Sequence, residues 1–146
     1  MKRYNTMKAG TNVNNTDMRR ECEVLWAKNK YYVLSKSHKV YIEIREYLKE
    51  KEVDILYLKE KILNLRDVAE SKKDFNNAIL HVWGYFKKDA SDVEKQDLFS
   101  MLEKYMTGES NQESVIAYIK GLLKKYPNKY LQESTLLTGE YDETLA

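Results

Sequence analysis

From Thr16 onward the apolar residues recur at intervals of three and four, in successive stretches that predict about six amphipathic helices. Met18, Cys22, Leu25, Trp26 and Val33 share one face of the first, and Thr16 or Asp17 stands where a cap for the opening turn belongs. Behind Ser37, the stripe Val40, Tyr41, Ile44 and Leu48 predicts a shorter second helix that runs out in the charged residues 49–52. Asp54 precedes Ile55, Leu58, Ile62, Leu65 and Ala69, the stripe of a third helix of about four turns. Ser71 and Asp74 open a fourth, whose Phe75, Ile79, Val82 and Phe86 are joined by Leu80 and Trp83 on other sides. A helix apolar on several sides belongs at the centre, and Gly84 inside it marks a close backbone approach or an interruption. Ser91 and Glu94 form an S-x-x-E capping box ahead of Leu98, Met101, Leu102 and Tyr105, and Gly108 follows where a left-handed residue ends a helix. Val115, Ile119, Leu122 and Tyr126 supply the sixth stripe, which Pro127 stops.

The two ends lack this period. Residues 1–16 are polar, rich in Asn and Thr, and read as a flexible leader. Residues 128–146 mix Tyr130, Leu131, Leu136, Leu137 and Tyr141 with acidic groups, which predicts an extended tail laid across the bundle. The expectation is therefore an all-α fold: a compact bundle of about six helices in one domain, residues 17–146, between a mobile leader and an extended tail. A chain of 146 residues suits one core, and the scarcity of breakers, with 5 Gly and 1 Pro, argues for helices over a β-sandwich.

Charge narrows the partners. Twenty-five basic against 23 acidic residues leave +2, so any nucleic-acid site must be a local one. No apolar run approaches the ~20 residues of a membrane span, and no apolar segment follows Lys2, Arg3 and Lys8 as in a secretion signal. The single cysteine, Cys22, excludes an internal disulfide and fits a reducing cytoplasm; on an apolar stripe it reads as a buried structural thiol. With only His38 and His81, and no H-E-x-x-H or E-x-x-H pattern, no metal site is expected. The glycines after the leader are isolated and no P-loop or G-x-G-x-x-G pattern occurs, so no cofactor is implied.

The segment from Asn76 to Lys88 is the richest in chemistry. On a helix Asn77, His81 and Tyr85 form a polar, aromatic line with Gly84 and Lys88 beside it, a stripe that suits either a satisfied helix interface or a pocket with a proton-transfer group. Tyrosines and lysines also alternate at residues 28–32, 85–88 and 124–130. Such groups either close a core beneath a solvated face or, when exposed together, grip single strands by phosphate attraction and base stacking.

The blocks Leu25-Trp26-Ala27-Lys28-Asn29-Lys30-Tyr31, Val33-Leu34-Ser35-Lys36-Ser37 with Tyr41, Leu80-His81-Val82-Trp83-Gly84-Tyr85-Phe86-Lys87, then Tyr105, Gly108 and Tyr130-Leu131 resemble the YbgA-like domain-of-unknown-function family over roughly residues 20–145. The H-x-x-G-Y-F-K block is the most specific. The resemblance implies a bacterial or archaeal cytosolic protein, of a family often found beside a photolyase gene or fused after a desulfidase module acting on thiolated nucleobases. This chain reads as the version without that module, since one cysteine cannot hold the module's iron–sulfur cluster. Lys30, His81, Gly84, Tyr85, Lys87 and Tyr130 fit the family pattern. Asn29 stands where a histidine is expected, Ser134 where a glutamine is usual, and Glu140-Tyr141-Asp142 where Pro-Tyr-Pro is common.

These readings predict a non-catalytic binding or accessory domain. Its groove, lined by Lys30, Asn77, His81, Gly84, Tyr85, Lys87 and Tyr130, would accept a nucleobase-containing ligand or nucleic acid. Two alternatives stand beside it. One is a small enzyme acting on a base or nucleotide with His81 as acid or base; the other is a protein–protein interaction domain docking through exposed Tyr and Leu groups of the tail.

Overall fold

The structure, a computed structural model, describes residues 15–146. The leader expected at residues 1–16 therefore lies outside the described residues except for its last two, which already belong to the first helix. Nine helices and one 3-10 turn, with no strand, make up the described chain: α1 (Asn15–Lys36), α2 (His38–Tyr47), α3 (Ile55–Leu63) with a 3-10 turn at Asn64–Asp67, α4 (Lys72–Trp83), α5 (Asp92–Met106), α6 (Gln112–Lys125), α7 (Lys129–Gln132), α8 (Thr135–Thr138) and α9 (Tyr141–Leu145).

The capping residues act as their chemistry demands. Ser37 accepts from Val40 N–H, Asp54 from Leu56 N–H and Ser71 from Asp74 N–H, while Ser91 and Glu94 complete a reciprocal capping box. Apolar stripes below these caps bury Ile44, Leu58, Ile62, Phe75, Ile79, Val82, Leu98, Leu102, Val115 and Ile119 in one continuous core.

Three expectations need correction. The centre of the bundle is α1 rather than α4: α1 packs against α2, α3, α4, α8 and α9, and residues 31–35 on it are all buried. A helix wrapped on every side needs apolar or satisfied groups all round, and Tyr31, Tyr32, Val33, Leu34 and Ser35 meet that need, with the Ser35 hydroxyl bonded to the Tyr32 carbonyl at 2.7 Å. Second, α3 stops at Leu63, so Leu65 is buried from the 3-10 turn and Ala69 is exposed. Third, the tail is helical. Asn128 caps α7 by accepting from Leu131 N–H at 2.9 Å, and Leu131, Leu136 and Leu137 are buried by α7 and α8. One-turn helices are too short to display a hydrophobic period, and they persist here because packing supplies what local propensity does not: α8 lies on α1 and α6, α9 on α1 and α3, and α7 on α8.

At the end of α4 the interruption reading of Gly84 holds. Gly84 is the C-cap, in right-handed geometry, and beyond it the hydrogen bonds tighten: Tyr85 N–H to Val82 O at 3.0 Å and Phe86 N–H to Trp83 O at 2.8 Å. A Cβ at Gly84 would stand 3.1 Å from the His81 carbonyl oxygen, so the crowded backbone here is the helix's own.

Candidate functional site

Because α4 ends at Trp83, Tyr85 leaves the line of Asn77 and His81 and projects from the following turn. It meets Tyr31 of α1, hydroxyl to hydroxyl at 2.9 Å, with the rings edge to face at 6.1 Å between centroids. Tyr130 of α7 completes the group, 5.8 Å from Tyr85 in a near-parallel stack and 6.3 Å from Tyr31 edge to face. Edge-to-face and offset contacts at these separations are the favoured geometries of aromatic pairs. Tyr31 is buried, Tyr130 half-buried, and Tyr85 keeps 37% of its surface exposed.

The cluster continues onto α2. There Tyr41 lies near both Tyr31 and Tyr130. Its ring is 5.6 Å from Trp26 and 6.2 Å from His38, and the Arg45 guanidinium stands 5.7 Å from its centroid. Lys30 lies 5.6 Å from the centre of the Tyr31 ring. Burial raises the pKa of Tyr31 well above the usual tyrosine range, with its hydrogen bond to Tyr85 adding to the effect, and burial pushes Tyr130 up to about 12. Both phenols stay protonated across the ordinary pH range, and so remain available as neutral hydrogen-bonding groups.

The candidate residues thus separate into two sets. Tyr85 and Tyr130 are brought together with Lys30 at their edge through Tyr31. Gly84 and Lys87 flank Tyr85 in the same turn, both exposed. Asn77 and His81 remain on α4; the His81 ring is exposed and has no hydrogen-bond partner among the described residues. Tyr31, Tyr41 and Trp26 were absent from the expected lining. The missing signal is geometric: Tyr31 follows Lys30 by one position, which on a helix turns it about 100° away, and nothing local reports that α7 returns to meet it.

Position 29 is interior. Asn29 is fully buried: its Nδ2 donates to the Leu25 carbonyl at 3.0 Å and to Thr144 Oγ1 at 3.1 Å, and its Oδ1 accepts from Thr135 Oγ1 at 2.8 Å. Beside this polar pin the buried Ser134 hydroxyl has no partner among the described residues. The residue expected as histidine therefore faces the core and ties α1 to α8 and α9, away from the exposed aromatic face. A shallow cavity of about 250 Å3 lies elsewhere, at the start of α1, lined by Thr16, Arg19, Arg20 and Glu23. Among the described residues no group of three or more His, Cys, Asp or Glu side chains is placed to hold a metal ion, and no helix is long and apolar enough to cross a membrane.

Comparison with known proteins adds a family and no activity. A family profile described as "Protein of unknown function (DUF1722)" matches residues 30–139, a span that contains every candidate residue from Lys30 to Tyr130. The chain is similar to "Uncharacterized protein YbgA" of Escherichia coli (strain K12), 26% identical over 73 residues, which is 50% of this chain and 43% of that protein. The match thus spans less than half the length of that relative. No solved structure matches.

Proposed function

The chain belongs to the DUF1722 family of unknown function, and as membership brings no activity with it, we propose from the site itself a non-catalytic domain that binds a nucleobase-containing ligand or nucleic acid. The observation that carries this reading is the Tyr31–Tyr85–Tyr130 cluster, half-open to solvent, with a lysine within two residues of each ring: Lys30, Lys87 and Lys129. Aromatic faces bordered by cations attract a planar, anionic partner, since stacking is tolerant of base identity and lysines neutralise phosphates. Lys125, also near in sequence, is set aside because it pairs with Glu94 at 2.9 Å. The catalytic alternative draws no support from geometry: general acid–base work needs an oriented group, and the exposed His81 ring has no partner among the described residues to orient it. A cytoplasmic location is part of the proposal, motivated by the lone buried thiol of Cys22.

The test is a fluorescence-anisotropy titration against labelled single-stranded and duplex DNA and RNA at two salt concentrations, with Lys30→Ala and His81→Ala alongside. Affinity should fall with salt, and Lys30→Ala should lower the slope of log affinity against log salt by about 0.7 if it meets one phosphate of a single strand. His81→Ala should leave that slope nearly unchanged. Binding that ignores salt, or no binding at low salt, removes the nucleic-acid form of the proposal.

A further inference from the structure

We infer that the ligand is an unpaired base of a single-stranded nucleic acid, stacked on the exposed face of Tyr85, with Tyr31 as the positioning residue that holds this ring; the inference rests on the binding reading above. Tyr85 is fixed on two sides. Its hydroxyl is bonded to that of Tyr31 and its ring lies near-parallel to Tyr130, while the turn that carries it is tied back by Tyr85 N–H to Val82 O and Lys87 N–H to Trp83 O, at 3.0 and 3.1 Å. The 37% of Tyr85 that stays exposed is therefore presented by a ring already held in place. Docking a planar group on such a ring costs little side-chain entropy, because the rotamer is selected before the ligand arrives. A base added there lengthens an existing stack, Tyr130 then Tyr85 then base.

The choice of a single strand follows from access. Within a duplex both faces of each interior base are covered by its neighbours, so only an unpaired or terminal base has a face to offer a side chain. The surroundings match a polyanion: Lys87 and Lys88 are exposed in the turn after Tyr85, Lys129 precedes Tyr130, and Arg45 and Lys30 border the Tyr41 and Tyr31 rings. Asp89 and Glu133 are the acids nearest Tyr85 and Tyr130 in sequence, and both are exposed, where solvent screens them; on α2, Glu43 and Glu46 are paired with Lys61 and Lys49.

The experiment compares labelled homopolymer strands of about ten nucleotides, RNA and DNA, with a duplex of equal length, at each of two salt concentrations. Wild-type protein should prefer the strand, and the tighter of RNA and DNA names the source. Tyr85→Leu should weaken strand binding roughly 5- to 150-fold, the range one base–aromatic stack supports, with the salt slope unchanged. Tyr85→Trp keeps an aromatic platform without the hydroxyl, so it should retain most of the binding that Tyr85→Leu loses. Tyr31→Phe and Tyr85→Phe remove the same hydrogen bond, so each should weaken binding by a similar factor and the double variant no further; additive losses would remove Tyr31 from the positioning role. Strand and duplex bound equally, with Tyr85→Leu unchanged, overturns the inference and leaves the binding domain standing. Absence of binding to every probe overturns both.

Discussion

Replacing Asn29 by Ala tests whether the C-terminal helices, and Tyr130 with them, are held in place by one buried amide. Three hydrogen bonds disappear: to Leu25 O at 3.0 Å, to Thr144 Oγ1 at 3.1 Å, and from Thr135 Oγ1 at 2.8 Å. Neither threonine is orphaned, because Thr135 still reaches Lys28 O at 3.2 Å and Thr144 still reaches Tyr141 O at 2.8 Å. The heavy desolvation penalty of a stranded group is thus avoided, and the loss is about 1 kcal/mol per bond, roughly 3 kcal/mol in all. For a chain of this length that lowers Tm by about 10 °C in a calorimetric melt. The loss should also be local. Hydrogen exchange should speed up in α8 and α9, where Asn29 is the polar tie, ahead of α5, which packs on α4 and α6 instead. Asn29→Leu, with the same number of side-chain heavy atoms and unable to bond, leaves no cavity and should still lose the three hydrogen bonds, so a comparable fall in Tm argues against a cavity as the cause. A Tm within about 2 °C of wild type, or exchange that accelerates evenly through the chain, would refute the reasoning.

Other outcomes follow from single sites. Glu94 is held at about 2, from an ordinary 4.5, first by Ser91 N–H and then by the Lys125 ammonium and the Tyr126 hydroxyl. A depressed carboxyl stabilises the fold above its unfolded pKa, so this contribution is complete above about pH 4.5 and lost as the pH falls toward 2. Glu94→Gln should therefore lower the urea midpoint at neutral pH and approach wild type at the acid end. Cys22 is fully buried, its thiol raised to about 11 by that burial and by Asp54; the native protein should resist a disulfide-exchange reagent at about pH 8 and react once unfolded in guanidinium. Gly108 has φ +88°, so Gly108→Ala should cost about 1 kcal/mol despite open space around the new methyl. In α6, Gly121→Ala meets nothing within 4 Å and should stabilise by about 0.5–1 kcal/mol, both read by calorimetry.

The fold was legible where one helix carries its own evidence. Ser91 with Glu94 marked the start of α5, Gly108 its end, and Pro127 the end of α6, since caps and breakers act within a turn of themselves. Leu98, Leu102 and Tyr105 show why the stripe between such marks is informative: residues spaced by three and four must face one way, and all three are buried. The same logic cannot rank helices. Phe75 to Phe86 is apolar on several sides and still packs mainly on α1 and α5, whereas α1, polar in overall count, occupies the middle because residues 31–35 are enclosed from every side. Nor can it see α7 to α9, each a single turn stabilised by contacts with residues a hundred positions away, Asn29 with Thr135 and Thr144 among them.

The site divides along the same physical line. Lys30, Tyr85 and Tyr130 were legible as residue types because lysine beside tyrosine is a local pattern, yet their convergence depends on an interruption and a return. The helix must stop at Gly84 for Tyr85 to swing out of the Asn77–His81 row, and the chain must come back after Pro127 for Tyr130 to reach it. Tyr31, the ring that touches both, stands beside Lys30 in the same local pattern, which does not report that it is buried. A buried tyrosine whose hydroxyl ends on an exposed tyrosine transmits the order of the core to the surface, at the cost of no charge and no unsatisfied group. That makes the Tyr31–Tyr85 bond the place where stability and binding meet: losing it should loosen the exposed ring far more than it loosens the fold, because the Tyr31 ring stays packed when its hydroxyl is gone.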